Sequence, residues 1–453
     1  MKLRDYLFVA CSFLMLSSFT TDKKEMSQVV DKGIRTATVQ SRIMAKSLWE
    51  QKDKLPRTIG KQGNLTTIEP WAWTSGFFPG VLWYLYEAEG DDSLKIYADN
   101  YTRRLERQQY TKSNHDVGFM LYCSYGNGWR LTKNEEYKKV LLQGAESLST
   151  RFRPKVGCIR SWDRKAWQYA VIIDNMMNLE LLLWASKNSD NATFNKIACS
   201  HADVTMKYHF RPDYSCYHVV SYDTITGKPD VRGTYQGYAD DSDWARGQGW
   251  ALYGYTMMYR ETKQKKYLKQ AIHVARFIMS HPQLPADKIP YWDFDAPDIP
   301  NAPRDASAGA LIASALIELS KYTERSFSKE CLSVAETQLK TLTSDEYLAE
   351  PGTNCNFILK HSVGNKPKKK EVDVPLTYAD YYYVEALLRY KKDISESHKR
   401  QSATNSGTAP NILPPARRTV PPGTTMATAA TRPPAAAGNR HTDNPGKYGQ
   451  GIP

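Results

Sequence analysis

Two short stretches place a carboxyl group where it could move a proton. In NHDVGFM, residues 114–120, His115 and Asp116 stand directly before a Gly-Phe pair and an apolar run. In VIIDNMMNLELLLWA, residues 171–185, Asp174 stands among apolar neighbours. A charge there is costly unless it is paired or used. Apolar surroundings raise a carboxyl pKa and hold the proton near neutral pH, as a general acid requires. Each residue also has a structural reading. Asp116 suits a helix N-cap, where its oxygens accept free backbone N–H groups. Asp174 suits a buried carboxyl bonded to a neighbouring loop. Two carboxyls flanking an aromatic-lined cleft form the general arrangement for glycoside hydrolysis.

A third stretch supplies partners for such a cleft. GTYQGYADDSDWARGQGWALYGY, residues 233–255, sets Gln236, Trp244, Arg246 and Trp250 close together. The two Trp offer flat apolar faces, Arg246 a rigid fork for a carboxylate, and Gln236 both a donor and an acceptor. WAWTSGFFPG, residues 71–80, adds Trp73 and Phe77, at a spacing that core aromatics also adopt. His218 in YHVVSYD is a lone histidine, a type that is more often structural than catalytic. The basic run with Lys366 and Lys368 to Lys370 reads first as a solvated loop and second as a contact for an anionic group at a cleft mouth.

The elements that must position these residues are mainly helices. From residue 27 to 393 twelve segments carry apolar residues at helical rather than alternating spacing, among them 74–89, 166–186, 243–260, 304–322 and 376–391. Breaks fall at Gly, Pro, Asn or Asp. Most links are short, with long ones at 208–242 and 282–303. Residues 215–225 read as a strand in a small hairpin. Twelve helices in consecutive pairs predict an all-α (α/α)6 barrel, six inner helices ringed by six outer ones. An open solenoid of the same pairs is the alternative.

Composition bounds the function. The chain has 453 residues, 41% hydrophobic and 12% aromatic, with 11 Trp and 29 Tyr. Its net charge of +13 invites a nucleic-acid reading, but residues 398–453 hold seven Lys or Arg against one Asp. Nearly half of the excess thus sits in a Pro/Ala/Thr-rich tail that cannot bury enough apolar surface to fold. No nucleic-acid motif appears, and no nucleic-acid partner is expected. The N-terminus, MKLRDYLFVACSF, reads as an export signal over residues 1–20 and predicts a periplasmic protein, with a lipid anchor through Cys11 as the lesser possibility. Its apolar run is short for a membrane span. The expected domains are the signal at 1–20, a barrel at 21–395 and a disordered tail at 396–453. The seven Cys form no CxxC or metal-like cluster. They read mainly as core residues, with disulfides possible after export.

In this order, WTSGFFPG, HDVGF, IIDNMMNLELL, YQGYADDSDWARGQGWALYGY and EVDVPLTYADYYYVEALLRY resemble glycoside hydrolase family 88, the unsaturated glucuronyl hydrolases. The resemblance runs from about residue 30 to 391. It implies an (α/α)6 barrel, no metal and no cofactor. It also implies cleavage of a 4,5-unsaturated uronate from the non-reducing end of lyase-generated oligosaccharides. By the same resemblance Asp174 is the general acid/base and Asp116 the second catalytic carboxyl. His115, His218, Gln236 and Arg246 would contact the sugar, and Trp73, Phe77, Trp162, Trp244 and Trp250 would line the cleft. The chain departs from the family's Thr-His-Gln-Gly at Thr234-Tyr235-Gln236-Gly237, a subsite position outside the catalytic pair. The related rhamnogalacturonyl class, acting on pectin fragments, and a non-catalytic sugar-binding protein stay open as alternatives.

Overall fold

The computed structural model describes the backbone of residues 3–405 and the side chains of residues 24–393 and 395. By its contacts the chain divides at residue 401, and the body described here is residues 1–401. The expected tail lies, from residue 406 on, outside the described residues. So do the side chains of the expected export segment, Cys11 included.

The body is an (α/α)6 barrel. Its inner helices are Phe77–Glu89, the composite run 117–132, Leu179–Lys187, Ala245–Thr262, Ala306–Ser320 and the helix starting at Thr377. The outer ones are Leu3–Ser47, Asp92–Arg103, Glu135–Ser149, Thr193–Tyr208, Lys265–Ser280 and Arg325–Leu342. Sequence decides which is which. Ala306–Ser320, ASAGALIASALIELS, is buried at every position, as a helix without a polar face must be. Lys265–Ser280 buries only a stripe, including Tyr267, Ala271, Val274, Ala275 and Ile278, and faces water with its lysines.

The two ends of the barrel differ. Each of the first five inner helices hands over to the outer helix that follows it through a short link. Three of these are two-residue turns opened by a left-handed residue, Gly90, Lys133 or Lys263 (φ 68°, 55° and 58°). The return from each outer helix to the next inner one is long. These returns carry small antiparallel sheets: Leu55–Ile59 with Leu65–Ile68, Phe152–Arg153 with Cys158–Ile159, and Ser362–Asn365 with Lys370–Val374. A three-stranded sheet also joins Ala170–Ile172, Val219–Tyr222 and Pro229–Gly233. The strand expected at 215–225 is the middle one, part of three strands rather than one hairpin.

The segment expected as one helix over 166–186 is a strand, a tight 3-10 stretch Ile173–Asn178, and only then helix Leu179–Lys187. Short apolar runs do not distinguish strand from buried helix by period alone. Here Val171 packs with Val220 and Tyr222 on one face of the sheet. Ala170 and Ile172 pack with Val219 and Trp162 on the other. The change from strand to helix falls at Asp174. The six described cysteines are all free thiols, and four of them are buried. Among the described residues no helix is long and apolar enough to cross a membrane.

Candidate active site

The long returns lead into the N-terminal ends of the inner helices, and there the candidate residues converge on a cavity of about 220 Å³. Trp73, His115, Asp116, Trp162, Asp174 and Gln236 line it. A larger cavity, about 320 Å³, lies toward the other end. Its charges are matched internally, with Arg260 on Glu180 and Glu318 and with Arg130 and Lys392 on Glu87. The smaller cavity is the one lined by the candidate catalytic residues.

Asp116 occupies the N-cap position of the run beginning at Val117, yet its side chain makes no capping hydrogen bond. Asn178 supplies the cap instead, its Oδ1 accepting the Phe119 N–H at 2.8 Å. Gly118 permits that approach, because a Cβ there would lie 2.5 Å from the Asn178 Cα. The capping reading of Asp116 therefore gives way, and its carboxyl is left to the cavity. Asp174, at the strand-to-helix change, is buried and its Oδ2 has no hydrogen-bond partner. That is not a carboxyl satisfied by a neighbouring loop.

Each carboxyl faces a histidine whose tautomer follows from its partners. The Asn178 Oδ1 is committed to Phe119, so its Nδ2 is the group 3.4 Å from His115 Nδ1. The His115 proton then sits on Nε2, 3.4 Å from Asp116 Oδ1. His218 Nδ1 accepts the backbone N–H groups of Tyr235 and Gln236 at 3.1 and 3.2 Å. Its proton also sits on Nε2, 3.7 Å from Asp174 Oδ2. Burial lowers both imidazoles to a pKa of about 3, so both are neutral at physiological pH.

Burial acts on the carboxyls in the opposite direction. It raises Asp174 to about 7, with the Arg246 charge and the Trp250 indole N–H working against the rise. That indole faces Asp174 without closing a hydrogen bond of regular geometry. Asp116 is raised to about 8, first by burial and then by the Asp174 charge. The two carboxyls interact, so the charge on one holds the proton on the other. Near neutral pH the site offers two carboxyls in mixed protonation states and two neutral N–H donors.

Several expected contacts lie elsewhere. Arg246 is fully buried and does not line the cavity. Its Nη1 meets Asp305 Oδ2 at 2.8 Å and the Val363 carbonyl, and its Nη2 donates to the Gly364 carbonyl at 2.8 Å. The fork expected for a substrate carboxylate is taken by Asp305, 59 residues further along the chain. Lys366 is tied to Asp298 at 2.9 Å. Phe77, Trp244 and Trp250 are buried beneath the cavity rather than in its walls. Phe77 supports Trp73 (centroids 5.8 Å apart), Trp244 stacks on His218 (4.4 Å) and Trp250 packs on Phe119 (5.3 Å). Gln236 is in the wall, its Nε2 donating to the Gly364 carbonyl at 3.0 Å. The sequence reading missed Arg57, Glu371, Arg164 and Tyr378, which complete the walls. Arg57 and Glu371, paired through Nη2 and Oε2 at 2.9 Å, are 314 residues apart. No local signal marks such a pair.

Known proteins resemble this chain in sequence and in fold. The model of Glycosyl Hydrolase Family 88 matches residues 44–392. An unsaturated glucuronyl hydrolase of Formosa agariphila is 49% identical over 320 residues, 70% of this chain and 79% of that protein. An unsaturated chondroitin disaccharide hydrolase of Streptococcus pyogenes is 32% identical over 354 residues, 76% of this chain and 87% of that one. The crystal structure of an unsaturated glucuronyl hydrolase specific for heparin superposes with a TM-score of 0.80 at 51% identity, covering 81% of this chain and 98% of that one. With the family model spanning most of the barrel and these relatives aligned along it, the chain belongs to glycoside hydrolase family 88.

Proposed function

We propose that the protein is a hydrolase that releases 4,5-unsaturated glucuronic acid from the non-reducing end of lyase-generated glycosaminoglycan oligosaccharides. The observation that carries this reading is the Asp174 carboxyl, buried at the cavity floor with its Oδ2 left without a hydrogen-bond partner and its pKa raised by burial to about 7. The substrate's C4=C5 bond is a vinyl ether. The Asp174 proton goes to C4, and the positive charge that develops at C5 is shared with the ring oxygen. Water adds to C5 and gives up a proton to the Asp174 carboxylate, which restores the acid. The hemiketal at C5 opens the ring, and the hemiacetal left at C1 releases the second sugar.

The neighbours serve this sequence. The N–H groups of His218 and His115 orient the two carboxyls. A site with its acid in the neutral form does not repel the substrate's own carboxylate. Arg246 adds positive potential from beneath, as do the N-termini of the inner helices. Trp73 and Trp162 give the sugar apolar faces. The relatives' names support glycosaminoglycan fragments over pectin fragments. Export before action belongs to the same reading, supported by the basic and then apolar N-terminus.

The test is the loss of ultraviolet absorbance of the conjugated enol-ether carboxylate, with unsaturated disaccharides from chondroitin, heparin and pectin lyases. Loss with the first two is expected. Loss with the pectin fragment alone would reassign the substrate, and none at all with folded protein would leave a sugar-binding role.

A further inference from the structure

The cations around the cavity mouth fall into two groups. Arg57 is paired with Glu371, Arg151 and Arg160 with Asp163, and Lys366 with Asp298. Arg164, Lys368 and Lys370 differ. Among the described residues no carboxylate pairs with any of the three, although Asp163 is the chain neighbour of Arg164.

Two of these unpaired charges, Arg164 and Lys368, lie over one ring. The Arg164 Cζ lies 4.1 Å from the Tyr235 ring centroid and 4.7 Å from that of Trp162. The Lys368 Nζ lies 5.6 Å from the same Tyr235 ring. The two rings meet edge to face at 5.3 Å. A hydrogen bond from Arg164, followed by the charges of Arg164, Lys368 and Lys370, holds the Tyr235 phenol below its ordinary pKa. A guanidinium stacked on aromatic faces is fixed in place while its N–H edge stays open to a ligand. Arg164 lines the cavity yet is exposed, whereas Asp174 is buried at the floor.

With the substrate proposed above, the unsaturated ring must reach Asp174, and the sugar that follows it lies toward the mouth. We infer that Arg164, held on the Trp162–Tyr235 platform, recognises a sulfate ester on that second sugar. Tyr235 lies nearer to Arg164 than Trp162 does and is the main residue holding it there. A sulfate keeps its charge at every working pH and matches the planar N–H fork.

The test compares unsaturated disaccharides with and without a sulfate on the second sugar. For the wild type and for Arg164→Gln, the ratio of kcat/KM for the two is measured. Loss of one charge-assisted contact should lower that ratio about tenfold. Tyr235→Phe keeps the ring and should keep the ratio, while Tyr235→Ala should lower it. Calorimetric Kd values for both disaccharides, in an Asp174→Asn background with and without Arg164→Gln, give the same comparison without turnover. An equal loss for both disaccharides would mean that Arg164 reads the uronate carboxylate, and no loss for either would remove it from recognition. Both results overturn the inference. A wild type that turns over neither disaccharide would sink the hydrolase reading, and the Kd comparison would still decide Arg164.

Discussion

Asp174→Asn should make the protein inactive and, above neutral pH, more stable. Burial raises the Asp174 pKa from 3.8 to about 7, so the folded chain holds this proton more tightly than the unfolded chain does. Below about pH 4 both states carry it, and nothing is lost. Between there and pH 7 only the unfolded chain releases it, and the folded state loses stability steadily. Above pH 7 the loss is constant at roughly 4 kcal/mol, at about 1.4 kcal/mol per pKa unit. Asn cannot ionise and escapes this cost. Its amide sits less well beside the His218 N–H, a loss of about 1 kcal/mol. The net gain at pH 8 is then about 3 kcal/mol. For a barrel of roughly 370 residues, with an unfolding entropy of about 0.8 kcal/mol/K, that is a rise in Tm of about 4 °C. At pH 4 the ionisation cost is absent from both proteins, and the variant should be about 1 kcal/mol less stable than the wild type. Thermal unfolding of both proteins at pH 4 and pH 8, with turnover followed by ultraviolet absorbance, measures both effects. Turnover should fall by about a thousandfold or more. A variant with equal Tm differences at the two pH values would refute a carboxyl held protonated by burial. One that kept a tenth of wild-type turnover would refute its role as the acid.

Three further outcomes follow from the same geometry. The wild-type kcat/KM should fall about tenfold per pH unit above pH 7 as Asp174 loses its proton, and a flat profile to pH 9 would contradict this. Gly118→Ala should cost about 1–3 kcal/mol and lower kcat, since its Cβ would push on the Asn178 backbone and part Asp116 from Asp174; denaturant titration and turnover check it. Asp305→Ala should cost about 3–5 kcal/mol by leaving Arg246 charged, buried and unpaired. A loss under 1 kcal/mol by denaturant titration would show that the pair matters little.

Much of the barrel was legible because helix burial repeats every three or four residues, within a window that the chain itself displays. Residues 304–322, expected as a helix from their apolar spacing, contain the inner helix Ala306–Ser320, and the amphipathic Lys265–Ser280 is an outer one. The carboxyls were legible for a related reason. A charge amid VII and MMNLELLL is costly to bury, and the Oδ2 of Asp174 is without a hydrogen-bond partner. The strand at Ala170–Ile172 was not, since three apolar residues satisfy either period and the choice belongs to Val219–Tyr222, far along the chain.

Charge partners decided the rest. Arg246 and Lys366 have acids close by in the chain, Asp243 and Glu371, yet those carboxylates go to Arg211 and Arg57. The fold brings Asp305 to one and Asp298 to the other. Arg164 looks tied to the adjacent Asp163, yet that carboxylate goes to Arg151 and Arg160. A side chain's period is set by its near neighbours, so the sequence alone determined the helices, their buried faces and the costly carboxyls. Which cation meets which anion depends on distances of a few ångströms between residues up to hundreds apart. Only the closed barrel sets those distances, and so only the tertiary structure decided which charges remain for a ligand.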